Sequence, residues 1–259
     1  FPLSATSQKM RIILLIILLS SPKLFQSQTS ILEFKILGTM HFGNNNINNK
    51  SLYNELEKAK PEIILIEDWK AYKKVRGLRT AKFLRIWKPT VEQMTIQKYK
   101  SKHKDVEIIP IDSIFDHNNY AKNINIKENE IEILIKNTSL SKEEKVLLNK
   151  LREKEKIFEN EMTNASILEL NKKEFVDLFT EFYFERKKFQ KDILQKYYSN
   201  TALTNWFIQN EIFHNEREKI MSDKINKVIC ENRNKRIILL VGLVHKNPLQ
   251  NNTTRSGCR

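Results

Sequence analysis

The stretch LEFKILGTMH, residues 32–41, starts as an apolar run and ends with a histidine three places after a glycine. RIILLVGLVH, residues 236–245, repeats that arrangement near the other end of the chain. Leu, Ile and Val dominate both runs without clean alternation, the pattern of strands covered on both faces. Working outward, four such runs read as strands: Leu32–Leu37, Glu62–Ile66, Val106–Ile111 and Arg236–Val241. Between the first two, Lys50–Lys60 places Leu52, Leu56 and Ala59 on one helical face, and Pro61 stops the helix. Between the second and third, Thr90-Val-Glu-Gln93 has the capping-box form that opens a helix. Strand, helix, strand, helix, strand implies an α/β fold with a mostly parallel sheet, flanking helices and right-handed crossovers.

From 118 to 200 the character changes to highly charged segments of helical period, chiefly Ser141–Glu161 and Lys172–Tyr198. This region reads as a helical insertion or lid between the two halves of the α/β unit. Its aromatics, Phe175, Phe179, Phe182, Tyr183 and Phe189, fit a packed helix face better than a ligand groove. A final helix, Thr204–Cys230, leads into the last strand, and 251–259 reads as an irregular tail.

Bulk composition excludes little. Lys and Arg number 45 against 31 Asp and Glu, a net charge of +14, but the lysines mix with glutamates along every helix, as in Lys142-Glu-Glu-Lys145. They describe solvated faces, and no specific nucleic-acid partner is expected. The two cysteines, Cys230 and Cys258, imply no disulfide framework and exclude a cysteine-based metal cluster. Met10-Arg11, the apolar run Ile12–Leu19 and the polar exit after Pro22 have the form of a signal peptide over 10–28. Export to a periplasmic or extracellular compartment is therefore expected, with the α/β domain over 29–250 and no membrane span after signal removal.

The chemistry is expected where the strands end. Glycine permits a sharp turn at Gly38 and Gly242, so His41 and His245 would project from turns at the carboxyl edge of the sheet, where open α/β sheets bind ligands. Glu67 and Asp68 end the second strand and Asp112 the third, so each strand delivers a titratable group to one edge. Two neutral imidazoles and one carboxylate form a ligand set of catalytic zinc sites, leaving a position for water. Asp68 or Asp112 would then act as general base or orient a histidine through its other nitrogen. Without a metal, one histidine would activate water directly, with Glu67 tuning it. His103, His117 and His214 read as solvated or packing residues.

Taken in order, Gly38-Thr-Met-His41, Ile64-Leu-Ile-Glu67, Glu216-Arg217-Glu-Lys-Ile-Met221 and Leu240-Val-Gly242-Leu-Val-His245 resemble the Tiki/TraB/GumN group. That group lies in the superfamily of erythromycin esterase-like and ChaN-like proteins. The likeness covers Leu32–His117 and Thr201–Pro248 and leaves the middle unmatched. It implies a metal-dependent hydrolase or protease for Tiki-like members, esterase chemistry for the erythromycin group and haem binding for ChaN-like ones. His41, Glu67 and His245 would then be catalytic groups or ligands of a divalent metal, zinc or manganese. Arg217 would clamp a carboxylate or a developing oxyanion. The expectation is an exported hydrolase of a peptide or small ester substrate. The alternatives are a haem- or iron-binding protein and a non-catalytic interaction protein of the same fold.

Overall fold

The structure, a computed structural model, describes residues 33–40, 44, 46–67, 90–112 and 117–253, without the side chains of 117–121. The expected signal peptide, His41, Asp68 and the end of the tail lie outside the described residues.

Four strands, β1 (Glu33–Thr39), β2 (Ile63–Ile66), β3 (Glu107–Pro110) and β4 (Arg236–Gly242), form one sheet in the order β1-β4-β2-β3. All three pairings are parallel, with Leu37 opposite Leu240, Ile66 opposite Leu240 and Ile66 opposite Pro110. The last strand in sequence thus inserts between the first two. Helices occupy both faces, as the unalternating apolar runs require. On one face α1 (Asn49–Ala59) and α2 (Val91–Lys102) pack Leu52, Leu56, Ile96 and Tyr99 against Ile64, Ile66, Ile238 and Leu240.

Both helices are punctuated as their sequences dictate. Asn48 and Ser51 cap α1 reciprocally, and Lys60 closes it in the left-handed region (φ 46°) just before Pro61. Thr90 and Gln93 form the expected capping box on α2, with bonds of 3.3 and 3.0 Å.

The described residues between β3 and β4 are mainly helical, as expected: α3 (His117–Asn137), α4 (Lys142–Asn164), the single turn α5 (Ile167–Leu170), α6 (Lys173–Tyr198) and α7 (Ala202–Glu231). Phe158, Phe182, Phe189, Ile193 and Ile131 form a core for this insertion. Phe182 and Phe189 are core residues, and Phe158 stacks on Phe182 at 5.2 Å between ring centres. The carboxyl half of α7 turns to the second face of the sheet, where Met221, Ile225 and Ile229 meet Ile63, Leu65, Leu239 and Val241.

Two expectations change here. The sheet's last strand runs directly into a further helix, α8 (Leu243–Asn252), which the sequence reading left as a turn and an irregular tail. Pro248 inside it and its weak apolar periodicity hid it. Cys230 is disulfide-bonded, whereas its place in a helix and that of Cys258 in the tail implied no disulfide framework. No helix among the described residues is long and apolar enough to cross a membrane.

Candidate active site

Because every strand is parallel, their carboxyl ends share one edge. Glu67 directly follows β2, Asp112 follows β3 by two residues, and α8 carries His245 in its first turn. The long helix α7 adds Arg217 and Glu218 from the sheet's second face.

Arg217, only 4% exposed, is the centre of the constellation. Its Nε and Nη2 donate to Asp112 Oδ1 and Oδ2 at 3.0 and 2.7 Å, a two-pronged bond that matches the planar fork of the guanidinium. Nη2 also donates to Glu67 Oε1 at 2.7 Å, and Nη1 lies 3.3 Å from His245 Nε2. Burial works against the guanidinium charge, but Asp112 and Glu67 more than offset it, so its pKa is held above the ordinary value. Glu67 is fixed from its other side by the Gly242 N–H, which donates to Oε2 at 3.0 Å.

His245 lies between two carboxylates. Its Nδ1 meets Glu218 Oε1 at 2.5 Å, and its Nε2 is 3.5 Å from Glu67 Oε1. An ionised Glu218 selects the tautomer with the proton on Nδ1, and leaves Nε2 as the acceptor facing Arg217 and Glu67. One turn earlier on α7, His214 is half-buried. Burial first, then the charges of Arg217, His245 and Lys187, outweigh Asp112 and push its imidazole down to about 4.

The structure therefore brings Glu67, Asp112, Arg217 and His245 together, while His41 and Asp68 lie outside the described residues. Three expectations are revised. Asp112 was a candidate base or orienting carboxylate for a histidine, but both its oxygens are taken by Arg217 and its side chain is fully buried. The carboxylate that orients His245 is Glu218, quoted within the Arg217 segment but given no role. Its signal was its place on α7 beside Arg217.

Gly38 serves close approach, where the sequence suggested a turn. It lies within β1, and a Cβ there would come within 2.8 Å of Leu243 Cδ1 and 3.2 Å of Lys246 Cδ. Gly242 likewise has an ordinary φ of −55° as the N-cap of α8.

Of the three ligands expected for a divalent ion, Glu67 and His245 are described and His41 is not. Glu67 Oε1 and His245 Nε2 are close enough to share one, but both face Arg217, a permanent cation that Asp112 holds in place. No group of three or more ligating side chains occurs among the described residues.

A groove of about 620 Å³ at the opposite edge of the sheet is lined by Glu57, Lys60, Tyr99, His103, Lys235 and Arg236. It gathers the carboxyl ends of α1 and α2, whose dipoles attract those cations, and it has no part in the network around Arg217. No family model, curated protein or solved structure matches the chain.

Proposed function

We propose that the chain is a hydrolase of a peptide or ester bond in which His245 activates the attacking water. The observation that carries this reading is the position of His245, with Nδ1 on Glu218 and Nε2 facing Glu67 and Arg217. Glu218 holds the ring and stabilises the imidazolium that forms when Nε2 takes a proton. A water bonded to Nε2 and Glu67 Oε1 from one side, the two atoms being 3.5 Å apart, would lose its proton to the ring and attack the carbonyl carbon. Arg217 lends fixed positive charge to the oxyanion that develops, without the reorganisation a mobile side chain would need. The imidazolium then returns its proton to the leaving oxygen or nitrogen. Asp112 takes no part in proton transfer; it fastens the guanidinium.

The test uses p-nitrophenyl acetate and a mixed peptide library with the purified protein. His245→Gln should lower kcat by about a hundredfold or more, the range for losing a general base. Glu218→Gln should cost about tenfold to a hundredfold, as for other groups that orient a histidine. Turnover should survive dialysis against a chelator. Activity lost to the chelator and restored by zinc or manganese would overturn the metal-free mechanism and restore the metal-ligand role of Glu67 and His245. A His245→Gln variant as active as the parent would remove His245 from catalysis.

A further inference from the structure

The proposed mechanism makes no use of the junction between α5 and α6, yet that junction is fastened to the ends of the strand and helix that flank the active site. Asn171, which ends α5, uses its side-chain amide as a neighbouring strand would use a peptide group. Its Oδ1 accepts the Gly38 N–H at 2.7 Å and its Nδ2 donates to the Gly38 carbonyl at 2.9 Å. β1 is the edge of the sheet, with β4 on its inner side, so Asn171 occupies the outer hydrogen-bonding position at Gly38.

The same side chain reaches α8. The buried Lys246, next to His245, donates from Nζ to Asn171 Oδ1 at 2.7 Å and to the Asn171 carbonyl at 3.1 Å. A second tie lies nearby. Asn44 Nδ2 donates to the carbonyls of Met162 and Ala165, and Asn46 Nδ2 donates to that of Asn164, at the end of α4. The insertion thus grips both flanks of the segment that follows β1, and the first turn of α8.

We propose that Asn171 is a positioning residue of the active site, locking the helical insertion onto the end of β1 and the His245-bearing turn of α8. A lid free to swing would not spend its junction on backbone pairing with an edge strand. Neutral amide chemistry suits the position. Only a group with one donor and one acceptor satisfies the N–H and the carbonyl of Gly38 together, and a Cβ at Gly38 would press on the side-chain ends of Leu243 and Lys246.

The inference rests on the role proposed for His245, and its test separates the two. Two readouts are compared in Asn171→Ala and Asn171→Asp: the His245 ring signals in NMR, assigned with His245→Gln, and the kinetics with p-nitrophenyl acetate. Asn171→Ala should move the His245 ring signals and lower kcat by about tenfold or more while KM changes little, as for small misplacements of a catalytic group. Asn171→Asp keeps the acceptor for Gly38 and Lys246 and should recover part of both. It also serves as the folded probe should Asn171→Ala fail to fold. Ring signals that coincide with the parent in a folded Asn171 variant overturn the proposal. If the parent shows no turnover of the ester or the peptides, the hydrolase reading falls, and the ring signals still decide the role of Asn171.

Discussion

At the scale of single residues, Arg217 decides most of what the site can do. One guanidinium satisfies both oxygens of Asp112 and one of Glu67, and all three groups are largely removed from water. A buried charge left without its partner is strongly unfavourable, about 3–5 kcal/mol for breaking such a pair. Arg217→Met should therefore lower unfolding free energy by about that amount, read from urea midpoints at neutral pH. Arg217→Lys should rescue little, because a single ammonium cannot make the paired bonds of the fork. The double variant Asp112→Leu with Arg217→Met should regain much of the loss, since it removes the orphaned carboxylate along with the cation. If Arg217→Met alone costs under about 0.5 kcal/mol, within the range of an ordinary surface substitution, the network does not hold the strand ends together.

At the scale of elements, the start of α4 shows how local sequence and tertiary packing reinforce each other. Ser141 and Glu144 form a capping box, and Glu144 also accepts from Lys196 and Tyr197 at the end of α6, each at 2.7 Å. Lys196 first, then the Ser141 amide and Tyr197, hold the Glu144 carboxyl down at about 2. A carboxyl whose folded pKa is depressed adds stability above its ordinary pKa of 4.5 and loses it as the pH falls towards about 2. Glu144→Gln should flatten that loss: between about pH 5.5 and about pH 3 the parent should lose more stability than the variant in urea titrations. Equal losses would mean that this carboxyl is not preferentially ionised in the fold.

The Thr90–Gln93 capping box, the four apolar runs and the long amphipathic helices were legible because each signal sits within a few consecutive residues. What escaped was non-local. The insertion of β4 between β1 and β2 depends on which strands meet, and no single run carries that information. α8 contains Pro248 and little periodicity, so its helical state follows from packing on β1 and α6. Of the site, Glu67, Asp112, Arg217 and His245 stood out as polar residues at strand ends or within a family-like segment. Glu218 and Asn171 looked like ordinary surface residues of a charged, asparagine-rich chain until the fold placed them against His245 and Gly38.

At the scale of the whole molecule, α7 joins the insertion core to the core on the sheet's second face, two interiors that share no residue. Near its start Phe207 belongs to the insertion core, Arg217 holds the site, and Met221, Ile225 and Ile229 belong to the core on the sheet's second face. At about 1.5 Å per residue, Phe207 and Arg217 are about 15 Å apart along one rigid rod, so displacement of the insertion reaches the guanidinium directly. An exposed position between them, Asn215, can be altered without touching either core. Asn215→Pro removes a backbone donor and costs about 3 kcal/mol in a helix interior. It should also break the rod between the two cores. The parent should melt in one calorimetric transition, because α7 and the Asn171 lock couple insertion to sheet. In Asn215→Pro the insertion should melt separately and earlier, giving two transitions, with kcat reduced because Arg217 loses its fixed orientation. A single transition close to the parent's temperature would show that insertion and sheet are coupled without α7, and that α7 serves the site only as the carrier of Arg217 and Glu218.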